Sequence, residues 1–235
     1  MTVIDSIPPN YVAVESDFNL LGYFKIFLFI NGKKYAFGFD TGMGGSLLFS
    51  SKNIDNNIKK VSTRKKVYGN VFQVGGGGSI SDTVLVKKAD KVKIGSNSYV
   101  DDVEILIAPE NMENLVGVTF MKNYNWTIDY INRNVYVKPR ITKIDKSEPS
   151  YSDSLEAVFN FAKNPITIRT IVINGKLHKA GLKMGDEILS INNKKITEIP
   201  VCKREKFVKK LLKSHNRIVF KVKRNKDFYN FEVDL

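Results

Sequence analysis

The chain has 235 residues, of which 43% are hydrophobic, a composition typical of a globular protein with one large domain or two modest ones. Lys and Arg total 37 against 24 Asp and Glu, which gives a formal net charge of +13. The only cysteine, Cys202, excludes an intrachain disulfide and a multi-cysteine zinc site, and the only histidines, His178 and His215, are too few for a histidine-rich metal site.

The positive charge is distributed as scattered lysines, which favours a solvated surface over a dedicated binding face. The alternative is attraction of anionic substrates, nucleic acid or a membrane surface through the summed field. Aromatic residues do not interleave with the basic ones in the manner of a nucleic-acid motif, so we expect no nucleic-acid partner. The densest basic patches are Lys59-Lys60 with Arg64-Lys65-Lys66, and Lys203-Arg204 with Lys206 and Lys209-Lys210.

Residues 11–140 alternate β-branched and aromatic residues with polar ones, with turns at regular intervals, so we predict an all-β region. Residues 22–30 and 34–39 form two of the predicted strands. Asn31-Gly32 between them is typical of a tight hairpin turn. The second strand leads directly into Asp40-Thr41-Gly42.

The sequence Asp40-Thr41-Gly42 places a carboxylate, a hydroxyl and a glycine at a strand end. Peptide hydrolysis without a metal needs a base that activates water and an acid for the leaving amine. Two carboxylates about 3 Å apart supply both, because they share one proton. Taken alone, the three residues favour an ordinary strand-end turn.

Two later segments accompany this loop. Gly75, Gly76, Gly77 and Gly78 form a glycine run whose composition fits a flexible linker, but strand-like sequence on both sides favours a hairpin tip. Residues 115–121 place two apolar residues and a glycine before a predicted short helix at 117–123.

In that order, the three segments resemble the single-lobed, retropepsin-like aspartic peptidases. The resemblance implies that Asp40 is catalytic, that Thr41 and Gly42 support its loop, and that Gly75 to Gly78 form a flap over bound peptide. Met43-Gly44-Gly45-Ser46 depart from the residues that many retropepsins use to bind the substrate backbone. The departure leaves the substrate preference open.

Only one Asp-Thr-Gly occurs in the chain, so a complete dyad requires two chains and implies a homodimer. A rival interpretation of residues 42–45 as a dinucleotide-binding loop lacks the third glycine spacing, the helix and the later acidic strand end. A Gly-Lys-Ser/Thr phosphate loop is also absent from the sequence. We therefore expect no cofactor.

Residues 141–152 have the polar, proline-bearing composition of a linker. After it, residues 174–196 resemble the central segment of PDZ domains, with Ala-Gly-Leu, Gly-Asp and Ile-Asn in register. The resemblance implies that an extended peptide adds as a strand beside a helix, predicted at residues 203–213. The usual glycine-apolar loop is not visible before the strand at residues 155–161, so capture of a terminal carboxylate stays open, as does a purely structural role.

These observations predict a mainly β chain: a retropepsin-like β-barrel lobe at residues 1–140, a linker at 141–152, and a small α+β PDZ-like domain at 153–235. The predicted function is an aspartic endopeptidase with a peptide-recruiting second domain. The alternative is an inactive peptide-binding scaffold that acts through the PDZ-like domain. No run approaches the roughly 20 apolar residues of a membrane span. The domain pairing resembles bacterial envelope peptidases, which implies the periplasm or cell envelope if a signal peptide has been removed.

Overall fold

The chain is described by a computed structural model covering residue 7 and residues 9–74, 78–109, 112–140 and 155–235, with the backbone alone for residues 70–74, 78–82 and 212–213. It divides into two compact units, residues 1–64 with 85–146 and residues 65–84 with 147–235. The prediction of a mainly β fold, followed by a small α+β domain, is confirmed.

The N-terminal unit is built from strands, with two short helices, α1 (Asn56–Lys60) and α2 (Val118–Met121). Strands β6 and β7 run through both units. The strands are β1 (Val12–Val14), β2 (Ser16–Phe18), β3 (Phe24–Ile30), β4 (Lys33–Phe39), β5 (Leu47–Ser50), β6 (Ser62–Val74), β7 (Gly78–Ile94), β8 (Ser98–Ala108), β9 (Leu115–Val116), β10 (Tyr124–Asp129) and β11 (Asn134–Pro139).

Six of these strands close into a barrel. In order around the ring, β3 pairs with β4, then β9, β5, β8 and β7 follow, and β7 pairs back with β3. Closure removes the free sheet edges that a single open sheet would expose. A smaller sheet, in the order β1-β11-β10, accompanies the barrel.

The period-2 pattern of β3 and β4 explains how the barrel interior is filled. Ile26, Leu28 and Ile30 of β3 are fully buried, while the residues between them are more exposed. Successive strand residues point to opposite faces, so one face of β3 lines the core. The predicted hairpin turn is confirmed, since Asn31 and Gly32 have φ values of 49° and 80°, as a tight hairpin turn requires.

Asp55 ties α1 to the β3-β4 hairpin. Its carboxylate accepts the backbone N–H groups of Asn57 and Ile58 as the N-cap of α1. The same carboxylate accepts the Tyr35 hydroxyl at 2.9 Å and the Lys33 ammonium at 2.5 Å. The hydrogen bond from Lys33 lowers the pKa of Asp55 well below its usual range, against the opposing effect of burial.

We predict that Asp55→Asn makes the free energy of unfolding depend less on pH in the acid range. The folded-state pKa of Asp55 lies below its unfolded value, so its stabilisation is present above about pH 4 and is lost as the pH falls. Asn keeps the N-cap acceptor but not the charge. Urea unfolding followed by the fluorescence of Trp126, the only tryptophan, should show variant and wild type converging toward low pH. A constant difference at all pH values would contradict the prediction.

The C-terminal unit combines a sheet with two helices, α3 (Lys176–Lys179) and α4 (Val201–Ser214). The observed α4 agrees with the helix predicted at residues 203–213. Its own strands are β12 (Ala157–Asn160), β13 (Ile166–Val172), β14 (Glu187–Ile191), β15 (Lys194–Lys195), β16 (Arg217–Arg224) and β17 (Asp227–Asp234).

An arm of β6 also belongs to this sheet. Val67 lies opposite Val172, and Gly69 lies opposite Thr170 of β13. Gly69 has a φ of +133°, and a Cβ there would lie 2.3 Å from the carbonyl oxygen of Arg169, so the close pairing requires glycine. Residues 65–84 therefore group with the C-terminal unit, although they lie within the predicted first domain. The predicted domain boundaries stay a prediction.

A buried ion pair joins Asp186, in the Gly185-Asp186 pair of the PDZ-like segment, to Arg224 of β16. Asp186 is 1% exposed and accepts two hydrogen bonds from Arg224, at 2.7 and 2.8 Å. Asp186 also accepts the backbone N–H of Lys183, and Arg224 donates to the carbonyl of Gly181. The hydrogen bond with Asp186 raises the pKa of Arg224. The pair thus fixes the loop before β14.

We expect Asp186→Asn to destabilise the C-terminal unit by about 2 kcal/mol, because the Arg224 guanidinium loses a bidentate charged partner. Urea unfolding followed by far-ultraviolet circular dichroism provides the measurement. Asp227→Asn, an exposed carboxylate in the same unit, is the matched control and should change stability little. Equal effects from the two substitutions would be inconsistent with this role for Asp186.

Candidate active site

Asp40 follows the last residue of β4 and is half-buried. Two backbone hydrogen bonds set its position: the N–H of Gly38 donates to the carbonyl of Asn114, and the N–H of Asp40 donates to the carbonyl of Val116. The Asp40 carboxylate accepts the backbone N–H of Gly42 at 2.8 Å. Thr41 and Gly42 are exposed. The loop therefore presents a solvent-accessible carboxylate on a fixed backbone.

The strand β9 passes between the two strands that flank this loop. It pairs in parallel with β4, with Phe39 opposite Val116, and antiparallel with β5, with Leu47 opposite Val116. Residues 40–46 consequently bend around the end of β9. The resemblance rests on residues 115–117 following Asp40 in the sequence. In the structure, the two segments lie side by side.

Gly117 is the point of closest approach between the two segments. Its N–H donates to the carbonyl of Ser46 at 2.9 Å, and the N–H of Val118 donates to the carbonyl of Met43 at 2.8 Å. A Cβ on Gly117 would lie 2.3 Å from the carbonyl oxygen of Gly45. Contacts under 3.0 Å are not tolerated by real side chains, so any other residue here displaces the Asp40 loop.

Gly117→Ala is therefore expected to destabilise the N-terminal unit by about 2 kcal/mol and to shift the loop at residues 40–46. Gly44→Ala is the matched control, because a Cβ at Gly44 meets nothing within 4 Å. Unfolding followed by Trp126 fluorescence measures the stability of both variants. Similar stabilities for the two variants would show that the close contact between Gly117 and Gly45 does not require glycine at position 117.

Two side chains that the sequence analysis did not select also hold the loop in place. The amide of Asn114 donates to the carbonyl of Ala36 at 3.1 Å and accepts the N–H of Ser50 at 2.8 Å, which joins β4 to β5. The ring of Trp126 packs edge-on against Phe39 with centroids 4.9 Å apart, and its N–H donates to the carbonyl of Met121. The sequence signal that could have identified Asn114 and Trp126 is their proximity to residues 115–117.

The predicted flap falls only partly within the structure. Gly75, Gly76 and Gly77 lie outside the described residues, and Gly78 is the first residue of β7. The strands β6 and β7, on either side of the glycine run, are hydrogen-bonded neighbours. The role of these glycines in covering a substrate stays a prediction.

Arg204 joins α4 to the residues between β12 and β13. It belongs to the second basic patch of the sequence, but the residue is buried, with 2% of its surface exposed. Its guanidinium donates to the carbonyls of Lys163 and Ile199, at 2.7 and 2.9 Å, and to the side chain of Asn164. Backbone acceptors between β12 and β13 explain how a cation is tolerated there.

One comparison with known proteins concerns the C-terminal part of the chain. Residues 145–223 match the family model described as PDZ domain. Among solved structures, the chain is similar to a retropepsin-like aspartic protease from Rickettsia conorii, with 14% sequence identity and a TM-score of 0.35, over 54% of this chain and 87% of that chain. This degree of similarity carries no conclusion about activity. A search of curated proteins gives no match.

Within the described ranges, no group of three or more His, Cys, Asp or Glu side chains is arranged to hold a metal ion. No helix in the described part of the chain is long and apolar enough to cross a membrane.

Proposed function

We propose that the chain is an aspartic endopeptidase whose catalytic dyad consists of Asp40 from each of two subunits. The observation that supports this proposal best is the position of Asp40: half-buried at a strand end, hydrogen-bonded to Gly42, on a loop that bends around β9. Because other segments fix the backbone of this loop, the loop can hold the Asp40 carboxylate against the carboxylate of a second subunit. The position of the carboxylate then does not depend on the contacts of its own side chain.

The proposed chemistry needs one shared proton. One Asp40 carboxylate is ionised and removes a proton from water as the water oxygen attacks the peptide carbonyl carbon. The partner's protonated carboxyl donates its proton to the carbonyl oxygen, which becomes a hydroxyl of the tetrahedral intermediate. The first Asp40, now protonated, then gives its proton to the amide nitrogen as the C–N bond breaks, and the partner's ionised carboxylate takes the proton of one hydroxyl as the C=O bond re-forms. The products are an acid and an amine, and the dyad regains its single proton.

The other predicted site residues have supporting roles in this proposal. The N–H of Gly42 holds the Asp40 carboxylate in place, and the exposed hydroxyl of Thr41 is available to the partner loop. The glycine run Gly75 to Gly78 closes over the bound peptide and excludes water. The PDZ domain recruits or orients the peptide, using the edge of β12.

The decisive substitution is Asp40→Asn, which keeps the size of the side chain but removes the base. We predict that cleavage of a peptide library falls by at least about a thousandfold. Asp17→Asn, an exposed carboxylate on β2, should retain full activity. The pH profile of the wild type should be bell-shaped, with two apparent pKa values that belong to the dyad. Cleavage that survives Asp40→Asn would exclude the mechanism.

A mixing experiment tests whether two subunits share the site. If wild-type and Asp40→Asn chains exchange freely at equal concentrations, about one quarter of the dimers contain two wild-type subunits, so activity falls to about one quarter of the wild-type value. Independent sites would instead retain about half. Sedimentation of the same samples establishes that dimers are present.

A second candidate function is a peptide-binding scaffold without catalysis. The PDZ match at residues 145–223 favours it, together with β12, which among the described residues pairs with β13 alone. An unpaired strand edge can accept an added peptide strand. This function predicts peptide binding by wild type and Asp40→Asn alike, and no cleavage by either.

A further inference from the structure

A groove in the C-terminal unit lies along one side of α4. It has a volume of about 910 Å³ and is bounded by the β14-β15 turn, β15, the turn at 196–199 and one side of α4. No residue of β12 lines it. The groove is therefore a different surface from the strand edge proposed above for peptide recruitment.

The lining of this groove combines an apolar floor with a basic rim. Ile199 and Phe207 are half-buried and form the apolar part. The single acidic residue among its lining residues, Glu198, pairs with Lys195 at 3.2 Å. The lysines of the rim are Lys194, Lys195, Lys203, Lys206 and Lys210.

The charge on α4 is left uncompensated on the groove side. Lys206 lies three residues after Lys203 and four before Lys210, so the three ammonium groups share one helix face and repel one another. In the described part of the chain, none of them has an acidic partner within 4 Å. The only described acid on α4, Glu205, pairs instead with Lys209 at 3.0 Å, on the adjacent face. The groove is thus a concentrated cationic surface.

We infer that this groove binds an acidic peptide segment that contains an apolar side chain. Carboxylates of the segment pair with the lysine rim, and the apolar side chain packs on Ile199 and Phe207. Complementary charge of this kind raises the association rate and selects the partner. The inference concerns binding alone and does not depend on catalysis by Asp40.

Two features favour a peptide over other polyanions. The only aromatic residue in the groove, Phe207, has the Lys194 ammonium 5.9 Å from its ring centroid, so the groove lacks an open series of rings on which bases could stack. The apolar residues lie in a recess rather than on a protruding surface, which suits a side chain better than a bilayer.

The test uses the full chain and a fluorescent peptide, acetylated and amidated at its ends, with Asp and Glu on both sides of one Leu. Blocked ends exclude capture of a terminal carboxylate. We expect saturable binding by fluorescence anisotropy, weakened by salt and equal in wild type and Asp40→Asn. Replacing Asp and Glu by Asn and Gln should abolish binding, and replacing Leu by Asn should weaken it severalfold.

Lys206→Glu combined with Lys210→Glu should weaken binding at least about tenfold. The matched control is Lys179→Glu with Lys221→Glu, which changes two exposed lysines outside the groove by the same total charge and should leave binding within about twofold. The groove variant should also gain affinity for a peptide with Lys in place of Asp and Glu, which an unfolded variant could not show.

Equal loss of binding in the groove and control variants would overturn the inference, because the net charge rather than the groove would then be responsible. Tighter binding of single-stranded DNA or of anionic vesicles, lost in the groove variant, would assign the surface to those partners instead. If the wild-type chain binds the probe but cleaves no peptide, the result would count against the proposed activity only.

Discussion

The passage of β9 between β4 and β5 is the constraint on which the candidate site depends. Because Val116 pairs on both sides, the chain from Asp40 to Leu47 has to bend around the end of β9. Only glycine fits at position 117, where a Cβ would meet the carbonyl of Gly45. The backbone of Asp40 is thereby held by hydrogen bonds of a distant segment, while its carboxylate accepts the N–H of Gly42 within its own loop. The proposed acid-base site requires this kind of fixed support.

The excess of positive charge divides into structural and accessible cations. Lys87 is 5% exposed and donates to the carbonyls of Lys59 and Val61, which satisfies the C-terminal end of α1. Arg204 is buried against backbone carbonyls in the same way. The lysines at 203, 206 and 210 are exposed and share a groove. A formal charge of +13 therefore says little by itself about binding, because burial decides which cations can meet a ligand.

Local patterns predicted the elements well where a single segment holds the relevant information. The Asn31-Gly32 turn follows from the conformational preferences of its own two residues, and α4 follows from helical periodicity within its own length. The residues that were missed act across long separations. Asn114 contacts Ala36 and Ser50, and its sequence neighbours give no sign of those partners. The burial of Arg204 was missed for the same reason, since two of its acceptors, in Lys163 and Asn164, lie about 40 residues earlier.

The sequence by itself determined the mainly β composition, the strand that ends at Asp40, the short helix after Gly117 and the PDZ segment, because each rests on a periodicity or motif within a few residues. Tertiary structure alone decided the closure of the barrel, the placement of β9 beside the Asp40 loop, and the pairing of Gly69 with β13. It also decided which basic side chains are buried. These features depend on contacts between residues far apart in the chain, whose closure entropy and packing no local pattern encodes.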